Sequence, residues 1–98
     1  MANRSIQRRS KRINYQTKIT LEDKRTGFRY SGTLQNYSQS GLYFESHYAQ
    51  RPGRKIRIES ENLPFGSTNN AQRAKVIWRK LLDKRHSTHL FGVGARFC

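Results

Sequence analysis

Near the start of the chain, Arg8, Arg9, Lys11 and Arg12 put four cations into five positions. Further along, Asn36-Tyr37-Ser38-Gln39-Ser40-Gly41 gathers small polar side chains and ends in glycine. Guanidinium groups bind phosphate oxygens with two parallel N–H donors, match the O6/N7 edge of guanine in the same way, and stack on bases. Asn36 offers an amide donor and an acceptor, Ser38 a hydroxyl, and the backbone near Gly41 free N–H groups. Asn36, Ser38 and Ser40 can cap a turn, and Gly41 is expected to take the positive φ that a tight turn needs. An arginine cluster and a small-polar turn are two halves of an anion site. Together they suit a ligand carrying both phosphates and a purine edge.

Other chemistries fit less well. The six acids, Glu22, Asp23, Glu45, Glu59, Glu61 and Asp83, form no pair spaced for acid–base work. The serines have no nucleophile-elbow context and there is no phosphate-cradling P-loop, so no catalytic residue is assigned. His86 and His89 with Cys98 fall short of the four ligands of a structural zinc site, so no metal is assigned. Twenty Lys and Arg against those six acids give a net charge of +14, which favours an anionic partner. A single cysteine, Cys98, cannot form an internal disulfide. No apolar run approaches the ~20 residues of a membrane-spanning helix, and the basic start is not followed by the apolar core of a signal peptide. The expectation is a cytoplasmic protein with no membrane insertion.

The elements that must position these residues are strands. With 98 residues the chain is one domain. Residues 1–12 have no periodicity and no acid, and read as a flexible basic arm. From residue 13 a period of two sets in. Ile13, Tyr15, Thr17, Ile19 and Leu21 share one face, then Phe28, Tyr30, Gly32 and Leu34, then Leu42 and Phe44. The alternation returns in Ile56 and Ile58, in Ala74, Val76 and Trp78, and in Phe91, Val93, Ala95 and Phe97. Turn-forming residues separate these runs, and no segment sustains the 3.6-residue period of a helix. Six alternating strands predict an all-β, six-stranded antiparallel barrel over residues 13–98, with no long C-terminal helix.

Arg8-x-x-x-Arg12, a strand pair, and Asn36-x-Ser38-x-x-Gly41, in that order and spacing, resemble the signature of PilZ domains, the bacterial receptors for cyclic di-GMP. Ala74-Lys75-Val76-Ile77-Trp78-Arg79 and the closing Phe91-Gly92-Val93-Gly94-Ala95-Arg96-Phe97 extend the likeness over nearly the whole chain. The resemblance implies a PilZ-like barrel and a non-enzymatic cyclic di-GMP receptor that signals to a separate effector protein. Arg8 and Arg12 would grip phosphates and guanine edges, and Arg9 would add a stack or a second phosphate contact. Asn36 would bond a guanine, Ser38 would hold the loop or a phosphate, and Gly41 would allow close approach. Many members carry Asp where this chain has Asn36. Trp78 matches a position that stacks on a base or lines the barrel rim in some members, while its alternation with Val76 fits the core as well. A small basic barrel binding RNA or single-stranded DNA non-specifically is the alternative. It is disfavoured because no strand shows a cluster of exposed aromatics.

Overall fold

The computed structural model describes residues 11–65, 71–85 and 87–98. It contains six strands: β1 Ile13–Asp23, β2 Arg29–Tyr37, β3 Gly41–Ser46, β4 Lys55–Glu59, β5 Ala71–Leu81 and β6 Phe91–Phe97. All neighbours are antiparallel, and the strands close into a barrel in the order β1-β2-β3-β6-β5-β4. Closure gives every strand two partners and leaves no exposed edge. Among the described residues there is no helix, and hence none long and apolar enough to cross a membrane. Of the N-terminal arm only Lys11 and Arg12 are described; Arg8 and Arg9 lie outside the described residues.

Inward positions of all six strands build one core. Ile19, Leu21, Leu34, Leu42, Phe44, Ile56, Ile58, Ala74, Val76, Val93 and Ala95 are buried there, and Tyr37, Leu63, Phe65, Phe91 and Phe97 pack on its margin. Burying a Leu, Ile or Phe side chain contributes about 1.5–3 kcal/mol, so these branched and aromatic residues supply most of the favourable term. The period-two reading holds for the middle of each strand and fails at its ends. Ile13 and Tyr15 are exposed because β1 slips register between Asn14 and Thr17. Phe28 precedes β2 rather than opening it. It lies half exposed against Tyr30 and Tyr48, in an aromatic cluster at one end of the barrel.

The β1–β2 turn is fastened by a buried carboxylate. Asp23 accepts from the backbone N–H of Arg25 at 2.9 Å and from the Arg54 guanidinium at 2.6 Å. Gly27 lies at φ 81° and donates its N–H to the Asp23 carbonyl. The Arg54 contact joins this turn to the start of β4, where Lys24 N–H also reaches the Lys55 carbonyl. Burial alone would raise the Asp23 pKa. The Arg25 N–H, the Arg54 guanidinium and Thr26 outweigh it, and the carboxyl sits below its ordinary 3.8. The folded carboxyl thus releases its proton more readily than the unfolded one. Its contribution is complete above the unfolded value and is lost as the pH falls through the lower folded value. Thermal melts should therefore show a loss of stability below about pH 4 that Asp23→Asn flattens. An acid limb of unchanged steepness in the variant would place the titrating group elsewhere.

Candidate functional site

Asn36 is not in a turn. It is the penultimate residue of β2, and the connection to β3 is the three residues Ser38, Gln39 and Ser40. Strict alternation from buried Leu34 would point Asn36 into the core. A bulge between Leu34 and Asn36 prevents this: Leu34 pairs with Phe44, while Asn36 pairs with Tyr43, whose side chain faces outward between buried Leu42 and Phe44. One extra residue in a strand reverses the facing of the residues after it. Asn36 is thus half-buried on the outer surface, and its Oδ1 is enclosed without a hydrogen-bond partner. An enclosed acceptor left unpaired costs about 1–3 kcal/mol, which a ligand N–H donor would offset.

The loop holds itself and is tied to the barrel. Ser38 is buried; its N–H donates to the Gly41 carbonyl at 2.8 Å, and its Oγ accepts from the Ser40 N–H at 3.3 Å. The Ser40 carbonyl in turn accepts from the Phe97 N–H at 2.8 Å, which locks the loop to the end of β6. The Ser38 hydroxyl is thus engaged in the loop itself. Gly41 does not have the positive φ expected of it; among the described glycines only Gly27 and Gly53 do. Its glycine is required for another reason. A Cβ there would sit closer than 3.0 Å to the Ala95 carbonyl oxygen, and neither backbone can yield without parting β3 from β6.

Trp78 also leaves the core by a bulge. Val76 pairs with Ala95 and faces inward, but a register shift comes next, and Trp78 pairs with Gly94 on the outside with 40% of its surface exposed. Alternation alone could not show this, because the sequence on either side of Ile77 keeps its parity. The indole stacks on the Tyr43 ring, with centroids 5.7 Å apart and planes 26° apart. Both rings lie flat because β6 offers them no side chains. A Cβ on Gly92 would collide with Tyr43, and one on Gly94 with Trp78. Lys80 Nζ lies 5.7 Å from the indole.

Tyr43 is the participant that period and motif reading did not assign. Its partners across β6 are distant in sequence; the usable signal was Gly92-x-Gly94, a bare track beside two aromatics. Its hydroxyl donates to Glu45 Oε2 at 2.9 Å, and Ser87 Oγ donates to Glu45 Oε1 at 2.9 Å. Burial, then the Glu45 hydrogen bond and charge, push the Tyr43 hydroxyl up to about 12, so it remains a neutral donor at physiological pH. The pairings Asn36–Tyr43, Tyr43–Gly94 and Gly94–Trp78 place polar acceptor and stacked rings in one row across β2, β3, β6 and β5. Arg12 is exposed one residue before Ile13, whose partner is Tyr37, so the chain enters the barrel beside this hairpin. The Arg79 guanidinium is engaged elsewhere, donating to the Ala49 carbonyl at 2.8 Å. His89 stands 3.9 Å from Glu45 and beside His47, and among the described residues no group of three or more His, Cys, Asp or Glu can hold a metal.

The family model for the PilZ domain matches residues 6–98. The chain belongs to the PilZ domain family. PilZ domains are cyclic di-GMP-binding receptors rather than enzymes, and membership supports that role for this chain in general terms. No curated protein matches it.

Trp78 is the sole tryptophan, so its fluorescence reads this PilZ surface directly. Removing the stacked ring with Tyr43→Ala should red-shift the emission and increase its quenching by acrylamide. An unchanged spectrum would mean that the two rings are not stacked in solution.

Proposed function

We propose that this PilZ domain binds cyclic di-GMP through Arg8, Arg9, Arg12, Asn36, Ser38, Gly41 and Trp78 and signals to a separate effector protein. One observation carries the reading: an unpaired, enclosed acceptor on Asn36 shares a surface row with an exposed stacked indole, and the Arg12 end of the basic arm enters beside it. Guanine carries N–H donors for the first and a flat ring for the second, while its phosphates match guanidinium forks. Ser38 and Gly41 act through shape. The hydroxyl fixes the loop and the glycine permits the β3–β6 approach that holds the loop against the barrel.

The proposed output is a switch. The basic residues 1–12 have no acid among them to neutralise them. The dinucleotide supplies counter-charges and draws the arm onto the hairpin, and the closed arm presents a new surface to the effector. Ordering a residue costs about 1–2 kcal/mol, so two phosphates bridging several guanidiniums can hold a short segment.

The Tyr43–Trp78 stack also weakens the objection to single-stranded nucleic acid, since it sets an exposed indole on a half-buried phenol ring from a second strand. Calorimetry separates the two. Cyclic di-GMP should bind at micromolar Kd or tighter, about −8 kcal/mol or better, and more tightly than GTP or a single-stranded oligonucleotide. Arg12→Ala should lose about 1.5–3 kcal/mol, the value of a hydrogen bond to a charged group. Lys84→Ala, which removes an equal charge from the exposed β5–β6 connection, should change little. Equal losses in both variants, or equal affinity for the oligonucleotide, would reject the dinucleotide assignment.

A further inference from the structure

Beside the candidate site, on the outer face of β4, β5 and β6, three cations stand in one lateral row. Lys55 pairs with Lys75, and Lys75 pairs with Arg96. All three are exposed and face outward, since the next pairs along, Ile56–Ala74 and Val76–Ala95, are buried. Neighbouring strands lie about 4.8 Å apart, so the row spans about 10 Å. Like charges placed directly opposite each other are destabilising.

Among the described residues none of the three has an ion-pair partner, and the acids are committed elsewhere. Glu22 and Glu59 hold Arg29 at 3.2 and 3.0 Å, and Glu59 also holds Arg57 at 3.1 Å. Asp23 holds Arg54, Asp83 holds Arg85, and Glu45 is taken by Tyr43 and Ser87. Glu61 lies in the loop after β4, beside β1. The row lines a groove of about 390 Å³, together with Ile77, Phe97 and Cys98. Ile77 is 45% exposed at the β5 bulge, an apolar side chain facing this groove.

We propose that this groove docks an acidic segment of a partner protein, with two or three carboxylates meeting Lys55, Lys75 and Arg96 and an apolar side chain covering Ile77. Charge complementarity sets the sign of the partner. The apolar wall favours a polypeptide over nucleic acid, because the groove's one aromatic side chain, Phe97, is half-buried with its ring packed on Phe65, which leaves little face on which a base could stack. The groove shares no residue with the proposed dinucleotide site, so docking does not depend on that reading.

The test uses the full chain without nucleotide and a fluorescein-labelled peptide of alternating Glu and Leu, read by anisotropy at about 0.1 M salt, where the Debye length is about 10 Å. The peptide should bind, its Gln-for-Glu counterpart should not, and Lys75→Gln or Arg96→Gln should weaken binding at least tenfold. Lys18→Gln, an exposed lysine on β1, should weaken it less than twofold. Lys75→Gln should also keep or raise the melting temperature, because it removes repulsion on both sides. Equal weakening by Lys18→Gln would show diffuse charge and overturn the proposal. So would tighter, Lys75-dependent binding of a single-stranded oligonucleotide, or a melting temperature lowered by Lys75→Gln.

Discussion

Two extra residues, one in β2 and one in β5, decide what this barrel shows to solvent. A strand alternates sides with a period of two, and Leu34 and Val76 are buried. Without the bulges beyond them, Asn36 and Trp78 would share their side and point inward. An amide and an indole would then compete for a core that already holds Phe44 and Val93. With the bulges, both face out on the same row. The bare backbone of Gly92 and Gly94 completes the device, since it lets Tyr43 and Trp78 lie flat where ordinary side chains would prop them up. The close approach at Gly41 then fixes how β3 meets β6, and with it the position of the loop between Asn36 and β3.

This arrangement explains what the sequence could and could not convey. Barrel, strand number and core were legible, because alternation of Ile19, Leu21, Leu34, Phe44, Ile56, Ile58, Val76 and Val93 survives in every strand and dominates the burial term. The family was legible from two short motifs and a closing strand. The facing of Asn36 and Trp78 was not, since a bulge is one residue of unremarkable type and leaves no compositional mark. Asn36 read as part of a turn because Asn, Ser and Gly are turn formers wherever they stand. Gly41 read as a positive-φ residue for the same reason, when the constraint is steric contact with a strand far along the chain. Tyr43 was passed over because its stacking partner is separated from it by β6 in space and by 35 positions in sequence, Trp78 against Tyr43.

Charge is distributed with the same selectivity. The net +14 is not an even coat. Glu22, Glu59 and Asp23 neutralise the arginines around β1 and β4, while the row of Lys55, Lys75 and Arg96 and the chain entering at Lys11 and Arg12 have no such partners among the described residues. A low-acid surface raises the local concentration of anions and their rate of arrival. Selection among anions then falls to directional groups. In the proposed dinucleotide site these would be an acceptor, a ring and the arm; in the proposed docking groove, a row of cations beside an apolar wall.

On the proposed reading, the surface row from Asn36 to Trp78 and the Arg12 end of the arm form one dinucleotide site. Titrating cyclic di-GMP into isotopically labelled protein and monitoring amide and indole N–H resonances addresses it directly. Shifts are expected at Arg12, across residues 36–41, at Gly94 and at the Trp78 indole N–H, with Leu21 and Ile58 on the far side of the barrel unmoved. Shifts centred on the β1–β4 side with a static Trp78 indole would contradict it.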